Sequence, residues 1–281
     1  GAALAKKAGG SDDQSSAPLP SVVDVAAPTA RNKCVVQPRV PMACDSAGLH
    51  HQRQSDVTPH GEVRSMPLTL HGFGTAVPTQ RLSQAEAVQV AHRINAESPE
   101  QERLMSRIYQ KTKVLSRGSV LLDKDAGHGA QQERLSFYGS ESPGTARRMQ
   151  AFEDHAGRLA LEAAAKALKD GGIPSGAITH LVTVSCTGFQ APGVDLFLID
   201  KLALAPSVQR THIGFMGCHG ALNGLRVAHA FAEMDPRAVV LLCAVELCSL
   251  HMAYGWHPEK VVANALFADG AAAVVASAKP S

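Results

Sequence analysis

Three apolar segments decide the fold of this chain: HLVTVSC at residues 180–186, RTHIGF at 210–215 and AVVLLCAV at 238–245. Each has the length and the β-branched content of a buried strand. Helical patterns separate them, over Val194 to Leu204 and over His219 to Glu233. Short apolar strands that alternate with helices are typical of a mainly parallel sheet covered on both faces. The sequence therefore predicts an α/β fold.

The longest helical pattern precedes these strands. It runs from Thr145 to Asp170, places many alanines on one face together with Phe152 and Leu159, and closes at Gly171-Gly172. Because alanine lets neighbouring backbones approach closely, we expect a buried, close-packed helix.

Shorter elements flank this central region. Pro67 to Pro78 reads as a strand followed by a glycine turn, and Ser83 with Glu86 forms a capping box that opens a helix to Asn95. The remaining predicted elements are a helix from Glu102 to Lys113, a helix from Glu259 to Phe267 and a strand from Ala271 to Ala276.

Composition excludes several classes of function. The chain has 281 residues, and 45% of them are hydrophobic. Its formal charge of +2 does not indicate a surface that binds nucleic acid or an anionic membrane. It contains neither a run of about 18 apolar residues nor the apolar core of a signal peptide. The six cysteines lack metal-ligand spacing and do not form a short secreted framework. We therefore expect a cytoplasmic protein without a membrane span.

The first 66 residues differ from the rest. They are rich in Ala, Ser, Pro, Asp and Gln and have no sustained period, so we interpret them as a disordered leader and residues 67–281 as the folded domain. The histidines and cysteines of this leader match no zinc pattern, and no metal site is predicted there. These residues are Cys34, Cys44, His50, His51 and His60.

Cys218 is the strongest candidate for a reactive group. It lies in GFMGCHGA (214–221), between a strand and a helix. The unpaired amides and the positive dipole end of a helix N-terminus stabilise a thiolate, and flanking glycines leave space for a carbonyl. The alternative is a buried structural cysteine at a tight turn. His219 is not its base, because adjacent helical residues do not face each other.

The other cysteines have weaker claims. Cys243 lies inside an apolar strand, where it acts as a small hydrophobe. Cys186 and Cys248 both follow strand ends, so each lines the same cleft as Cys218 or packs in the core.

Two acidic residues also follow or precede strands. Glu246 is interpreted locally as a solvated turn residue, with a cleft anchor as the alternative, and Asp269-Gly270 is interpreted as a turn.

Several ordered segments resemble those of type III polyketide synthases, the thiolase-superfamily enzymes that include plant chalcone and stilbene synthases. The resemblance covers residues 67–281, the N-terminal half of such an enzyme, and implies half of a five-layer thiolase fold. The segments are Gly72–Pro78, Ile178–Leu181, Thr187–Gly193, Gly217-Cys218 and Ala265–Ala273.

The resemblance implies roles for individual residues. Cys218 matches the cysteine that accepts a starter from an acyl-coenzyme A, and Phe267 matches a phenylalanine between the coenzyme A tunnel and the cavity. Arg107 and Lys111 resemble basic residues that hold the coenzyme A phosphates, with a solvated basic face as the alternative.

Further positions match the wall of the family's reaction cavity. This chain departs there from the plant enzymes, which mostly carry small hydroxyl residues at the positions of Cys186, Cys248 and His251, so their aromatic substrate is not implied. The cavity positions are Cys186, Thr187, Glu246, Cys248 and His251.

The implied reaction is decarboxylative condensation of malonyl-coenzyme A onto the acyl group on Cys218, by a homodimer that needs no metal or organic cofactor. The family's catalytic His and Asn match nothing in this sequence, so we expect the C-terminal half to be absent and the chain alone to be inactive. Two alternatives are an initiating ketoacyl synthase and a truncated thiolase-like domain that only binds or dimerises.

Overall fold

The computed structural model describes residues 68–122 and 136–278. The predicted leader at residues 1–66, with its histidines and cysteines, lies outside the described residues.

A five-stranded sheet forms the centre of the described region. Its strand order is β1-β7-β6-β4-β5, and β2 and β3 form a separate antiparallel pair. β4 pairs in parallel with β5 and β6, whereas β7 is antiparallel to both β6 and β1. Four strands therefore run in one direction, which confirms the mainly parallel sheet, and β7 is the exception. The strands are β1 (Thr69–Ala76), β2 (Arg81–Ser83), β3 (Ser116–Gly118), β4 (His180–Ser185), β5 (Gln209–Gly214), β6 (Val239–Leu247) and β7 (Asp269–Ser277).

The helices of the described region follow the predicted order. α3 has the predicted bounds, and α1 begins after the capping box of Ser83 and Glu86. α2 begins earlier than predicted because Ser98 caps it and Pro99 occupies its first turn. The helices are α1 (Gln84–Asn95), α2 (Pro99–Lys111), α3 (Thr145–Asp170), α4 (Val194–Leu202), α5 (Gly220–Met234) and α6 (Pro258–Leu266).

The sheet is covered on both faces. Leu241, Cys243 and Val275 share a core with the alanine face of α3, which is fully buried at Ala156 and Ala160. The opposite face packs its valines and Leu242 against Ala228 of α5. Since side chains alternate between the faces of a strand, β6 contributes to both cores, as its continuous apolar sequence requires.

The glycines of β1 correct one prediction. Gly72 and Gly74 do not form a turn, because β1 continues through both of them. A Cβ at Gly74 would stand 2.1 Å from the carbonyl oxygen of Ala163, and one at Gly72 would stand 2.3 Å from the amide nitrogen of Gly171. These glycines are therefore needed for the close approach of β1 to α3.

A second, smaller core lies between α1, α2 and α6. It is built from Val90, Met105, Tyr109, Val261 and Ala265, all nearly or fully buried. This packing fixes α6, and with it Phe267, relative to the sheet. Over the described residues, no helix has the length and apolar character that a bilayer crossing requires.

Candidate active site

A cavity of about 550 Å³ opens where β4, β5 and β6 end. Ligands collect at this edge in open α/β sheets because the connecting loops diverge there. The cavity is lined by every residue that the resemblance assigned to its wall, and also by Cys218 and Phe267. These residues are Cys186, Thr187, Cys218, Glu246, Cys248, His251 and Phe267.

Cys218 lies in a sharp turn between β5 and α5. Phe215 has a φ angle of 59° and Gly217 one of 61°, so the chain reverses within three residues of the strand end. A single 3-10 turn, Gly217–His219, carries the cysteine directly into α5. Cys218 is exposed and lines the cavity, whereas His219 does not line it. The interpretation as a buried structural cysteine is therefore wrong.

Glu246 anchors the wall of the cavity. Its carboxylate accepts hydrogen bonds from the amide of Cys186, at 2.9 and 3.1 Å, and from the hydroxyl of Thr187, at 2.7 Å. The Thr187 hydroxyl also accepts from the amide of Leu247 at 2.8 Å. Glu246 is half-buried within β6, so the interpretation as a solvated turn residue is wrong. The ends of β4 and β6 are held together here by side chains.

Asp269 forms a second, deeper anchor. It is 4% exposed and begins β7, so the prediction of a turn is wrong. Its carboxylate accepts from the amide and the hydroxyl of Ser249, at 2.7 and 2.6 Å, and from the amide of Val120 at 2.8 Å. Burial raises the pKa of Asp269, against the effect of these hydrogen bonds. Three segments of the cavity wall meet at this one side chain.

Cys248 and Cys243 are in desolvated environments. Burial raises the pKa of the Cys248 thiol to about 12, and the carboxylates of Glu246 and Asp269 add to the effect. Burial also raises the pKa of Cys243 to about 12, and its thiol contacts the carbonyl of Ala160 in the core, as predicted. Thiols that hold their proton so firmly are poor nucleophiles.

His251 also lines the cavity, next to Thr187. Its Nε2 lies 2.6 Å from the carbonyl oxygen of Thr187, and its Nδ1 lies 3.4 Å from a guanidinium nitrogen of Arg148. Because the carbonyl accepts and the guanidinium donates, these contacts fit the tautomer with the proton on Nε2. The ring is thereby held in one orientation.

Phe267 follows α6 and is half exposed at the cavity. Its position depends on Arg117, which sequence reasoning missed. The Arg117 guanidinium donates to the carbonyls of Asn264 and Ala265, at 2.5 and 2.6 Å. It thereby supplies donors to carbonyl groups in the last turn of α6. No pattern around Arg117 indicates this role, because its partners at the end of α6 lie about 150 residues away.

Arg107 and Lys111 are both exposed on α2 and do not line the cavity. From that helix the cavity is lined by Tyr109, whose pKa is raised to about 12 by burial. Contact of the two basic residues with coenzyme A stays a prediction. Among residues 68–122 and 136–278, no group of three or more His, Cys, Asp or Glu side chains is placed to hold a metal ion.

A cysteine at a strand-to-helix elbow, at the carboxyl ends of parallel strands and beside a cavity, is an arrangement suited to a nucleophile that forms a covalent intermediate. The chain belongs to the chalcone and stilbene synthase family: the profile described as "Chalcone and stilbene synthases, N-terminal domain" matches residues 59–280.

Relatives of known name agree with this assignment. The chain is 33% identical over 212 residues to "Alpha-pyrone synthesis polyketide synthase-like Pks18" of Mycobacterium tuberculosis, covering 74% of this chain and 51% of the relative. It is 34% identical to "Type III polyketide synthase C" of Arabidopsis thaliana, covering 76% and 55%. The chain thus spans about half the length of these curated relatives.

A solved structure supports the fold as well. The C-terminal type III polyketide synthase domain of Steely1, a type I/III hybrid from Dictyostelium, superimposes with a TM-score of 0.68 at 29% identity. The match covers 76% of this chain and 57% of that domain. The thiolase-like fold and the type III polyketide synthase family are therefore confirmed.

Proposed function

We propose that Cys218 accepts an acyl starter from a coenzyme A thioester and holds it while malonyl-coenzyme A extends it by decarboxylative condensation. The observation that carries the proposal is the exposed Cys218 thiol in a glycine-flanked elbow, facing a cavity of about 550 Å³. Family membership favours this reaction over that of an initiating ketoacyl synthase.

The residues of this chain supply loading and positioning. The Cys218 sulfur attacks the thioester carbonyl, coenzyme A leaves as its thiol, and the acyl group remains on the protein. Glu246 and Thr187 hold the adjoining wall, and Phe267 contacts the incoming thioester at the cavity mouth. Because a nucleophilic thiol must stay reduced, we also propose a cytoplasmic location.

Condensation in the family that this chain resembles uses a His and an Asn that match nothing in this sequence. Stabilising the enolate formed from malonyl-coenzyme A requires hydrogen-bond donors, and removal of one such donor typically costs about 10²- to 10³-fold. We therefore propose that the 281-residue chain alone does not form polyketides. Incubation with radiolabelled malonyl-coenzyme A and a range of starters tests this, and product that depends on Cys218 would contradict it.

Binding of coenzyme A is proposed to use Arg107 and Lys111, which lie four residues apart on the exposed surface of α2. Replacement of either by Gln should weaken binding of an acyl-coenzyme A several-fold, because charge-assisted hydrogen bonds to phosphate are lost. Reaction of Cys218 with an N-acetylcysteamine thioester, which lacks those phosphates, should not change. Equal losses with both thioesters would indicate a structural role.

A homodimer is proposed from exposed features beside β5. β5 is one of the two edge strands of the described sheet, and Phe215, which follows it, and Phe189 are 73% and 58% exposed. Unpaired strand edges and exposed aromatic side chains favour association. Light scattering after gel filtration should give twice the mass of the chain, and a monomer at micromolar concentration would contradict the proposal.

Acylation of Cys218 is the direct test of the loading step. The chain is incubated with a fatty or aromatic acyl-coenzyme A, and its intact mass and peptides are measured. We expect one acyl adduct, on Cys218, and none in Cys218→Ala. Loss of the label on neutral hydroxylamine would confirm a thioester. A label that persists in Cys218→Ala would overturn the assignment of Cys218 as the acylated residue. No adduct on any cysteine would favour a domain that only binds or dimerises.

A further inference from the structure

Three of the described cysteines line a single cavity: Cys186, Cys218 and Cys248. All three are free thiols, but their surroundings differ. Cys218 is exposed, Cys186 is half-buried, and Cys248 is half-buried beside two carboxylates. The loading reaction uses only one of these thiols.

Cys186 lies directly against the elbow. Its sulfur is 3.5 Å from the carbonyl oxygen of Gly217, and that carbonyl belongs to the peptide bond that joins Gly217 to Cys218. The thiol of Cys186 therefore contacts the backbone of the proposed nucleophile.

Strand pairing explains this proximity. β4 and β5 are parallel neighbours whose last register pair is Ser185 with Gly214. Cys186 is the next residue after β4, and the positive φ angles of Phe215 and Gly217 turn the chain back beside it. Because the Gly217 carbonyl that the Cys186 sulfur contacts at 3.5 Å is bonded to the amide of Cys218, the two cysteines are neighbours across the elbow. A disulfide between them requires that their Cα atoms lie about 4.4 to 6.8 Å apart.

We propose that Cys186 is a resolving cysteine for Cys218, and that a hydroperoxide converts the pair into a reversible disulfide inside the cavity. The Cys218 thiolate attacks the peroxide oxygen, which gives a sulfenic acid and releases an alcohol or water. The Cys186 sulfur then attacks the Cys218 sulfur, an S–S bond forms, and the sulfenic oxygen leaves as water. The two thiols lose two electrons and two protons, and the peroxide is reduced.

The bridge would protect the thiol that loads the starter. A sulfenic acid without a partner is oxidised further to a sulfinic acid, which common thiols do not reverse, whereas a disulfide is restored by thiol exchange. Cys248 is the alternative partner, because the charge of Cys218 adds to the rise in its pKa that burial causes. Cys186 is favoured over it because the Cys186 sulfur contacts the backbone of the elbow. The bridge would also block acylation until it is reduced.

The test exposes the full chain to hydrogen peroxide, with Cys34 and Cys44 replaced by Ser in every sample. We expect a loss of about 2 Da and a non-reduced peptide that links Cys186 to Cys218, both reversed by dithiothreitol. In Cys186→Ser, the link should be absent and Cys218 should gain about 32 Da as a sulfinic acid, at least about tenfold more than in the parent. Cys248→Ser, the matched control from the same cavity, should still form the link.

The peptide map of the parent protein decides the matter without relying on the fold of any variant. A link between Cys218 and Cys248 would overturn the assignment of Cys186. Sulfinic acid on Cys218 in the parent, without any disulfide, would overturn the proposal as a whole. Formation of the link in Cys248→Ser and its loss in Cys186→Ser would support it.

Discussion

The two ends of the central sheet treat polar groups differently. At the amino end of β4, His180 is 2% exposed, and its ring stacks on Phe231 and shares a hydrogen bond with the neighbouring Thr179. At the carboxyl end, Glu246 and Asp269 join segments that are distant in sequence, and a cavity opens between them. Side-chain packing fills the amino end of the sheet. At the carboxyl end, hydrogen bonds to two carboxylates hold together the segments that surround the cavity.

This difference shows how a single sheet can be both stable and reactive. Apolar packing fills the amino end and needs no cavity. At the carboxyl end, carboxylates replace that packing, since each accepts two or three hydrogen bonds and fixes the loops that carry cysteines. Asp269 is buried and Glu246 is half-buried, whereas the Cys218 elbow is exposed.

The largest effect expected from this contrast is in cysteine reactivity. With a pKa of about 12, the Cys248 thiol is ionised only to about one part in 10⁴ at pH 8. We therefore expect iodoacetamide to modify the exposed Cys218 at least about tenfold faster than Cys248 in the folded chain. Time-resolved peptide mapping measures both rates, and Cys243 serves as the core reference. Similar modification rates at Cys218 and Cys248 would contradict the contrast between the exposed elbow and the buried residues around it.

The next largest effect concerns Asp269, the more deeply buried of the two carboxylates. Asp269→Asn keeps the shape but turns an amide NH₂ towards donors from Ser249 or Val120, so at least one buried donor loses its acceptor. We expect the free energy of unfolding to fall by about 2 to 3 kcal/mol, measured by urea denaturation. Asp200→Asn, at an exposed position, should change it by less than about 0.5 kcal/mol. If Asp269→Asn and Asp200→Asn lower the free energy of unfolding equally, the hydrogen bonds of Asp269 do not stabilise the fold.

Much of the fold was predictable because its signals are local. The alanine face and the Gly171-Gly172 stop gave α3 its exact span, and the Ser83 capping box gave the start of α1. Cys218 was predictable for the same reason, since its elbow needs only a strand, glycines and a following helix.

The wrong interpretations share a physical cause. Gly74 needs its small size because of Ala163, which is far along the chain, and Glu246 is an acceptor for Cys186, 60 residues before it. Asp269 and Arg117 likewise bind backbone groups that come near only after folding. A single sequence contains no record of such pairings, so glycine and acidic residues were assigned to turns, their commonest use.

The smallest expected effect tests the closed end of the sheet through its pH dependence. Burial lowers the pKa of His180, partly opposed by Asp235, and its Nε2 is buried without a partner. An unfolded histidine takes up a proton near pH 6.5, but the folded His180 stays neutral to lower pH. Acidification below about pH 6.5 therefore favours the unfolded chain, and the loss is complete once the pH passes below the folded-state pKa.

The variant His180→Phe isolates this contribution, because it keeps the stacking on Phe231 and removes the titration. Between pH 7 and 5, the unfolding free energy of the parent should fall more steeply than that of the variant, by at most about 1.4 kcal/mol per pH unit for one proton. His219→Phe is the matched control, because it makes the same replacement at an exposed position. Parallel slopes for the parent and His180→Phe would mean that His180 ionises freely in the folded protein, and the amino end of the sheet would then be as open to water as the cavity at the other end.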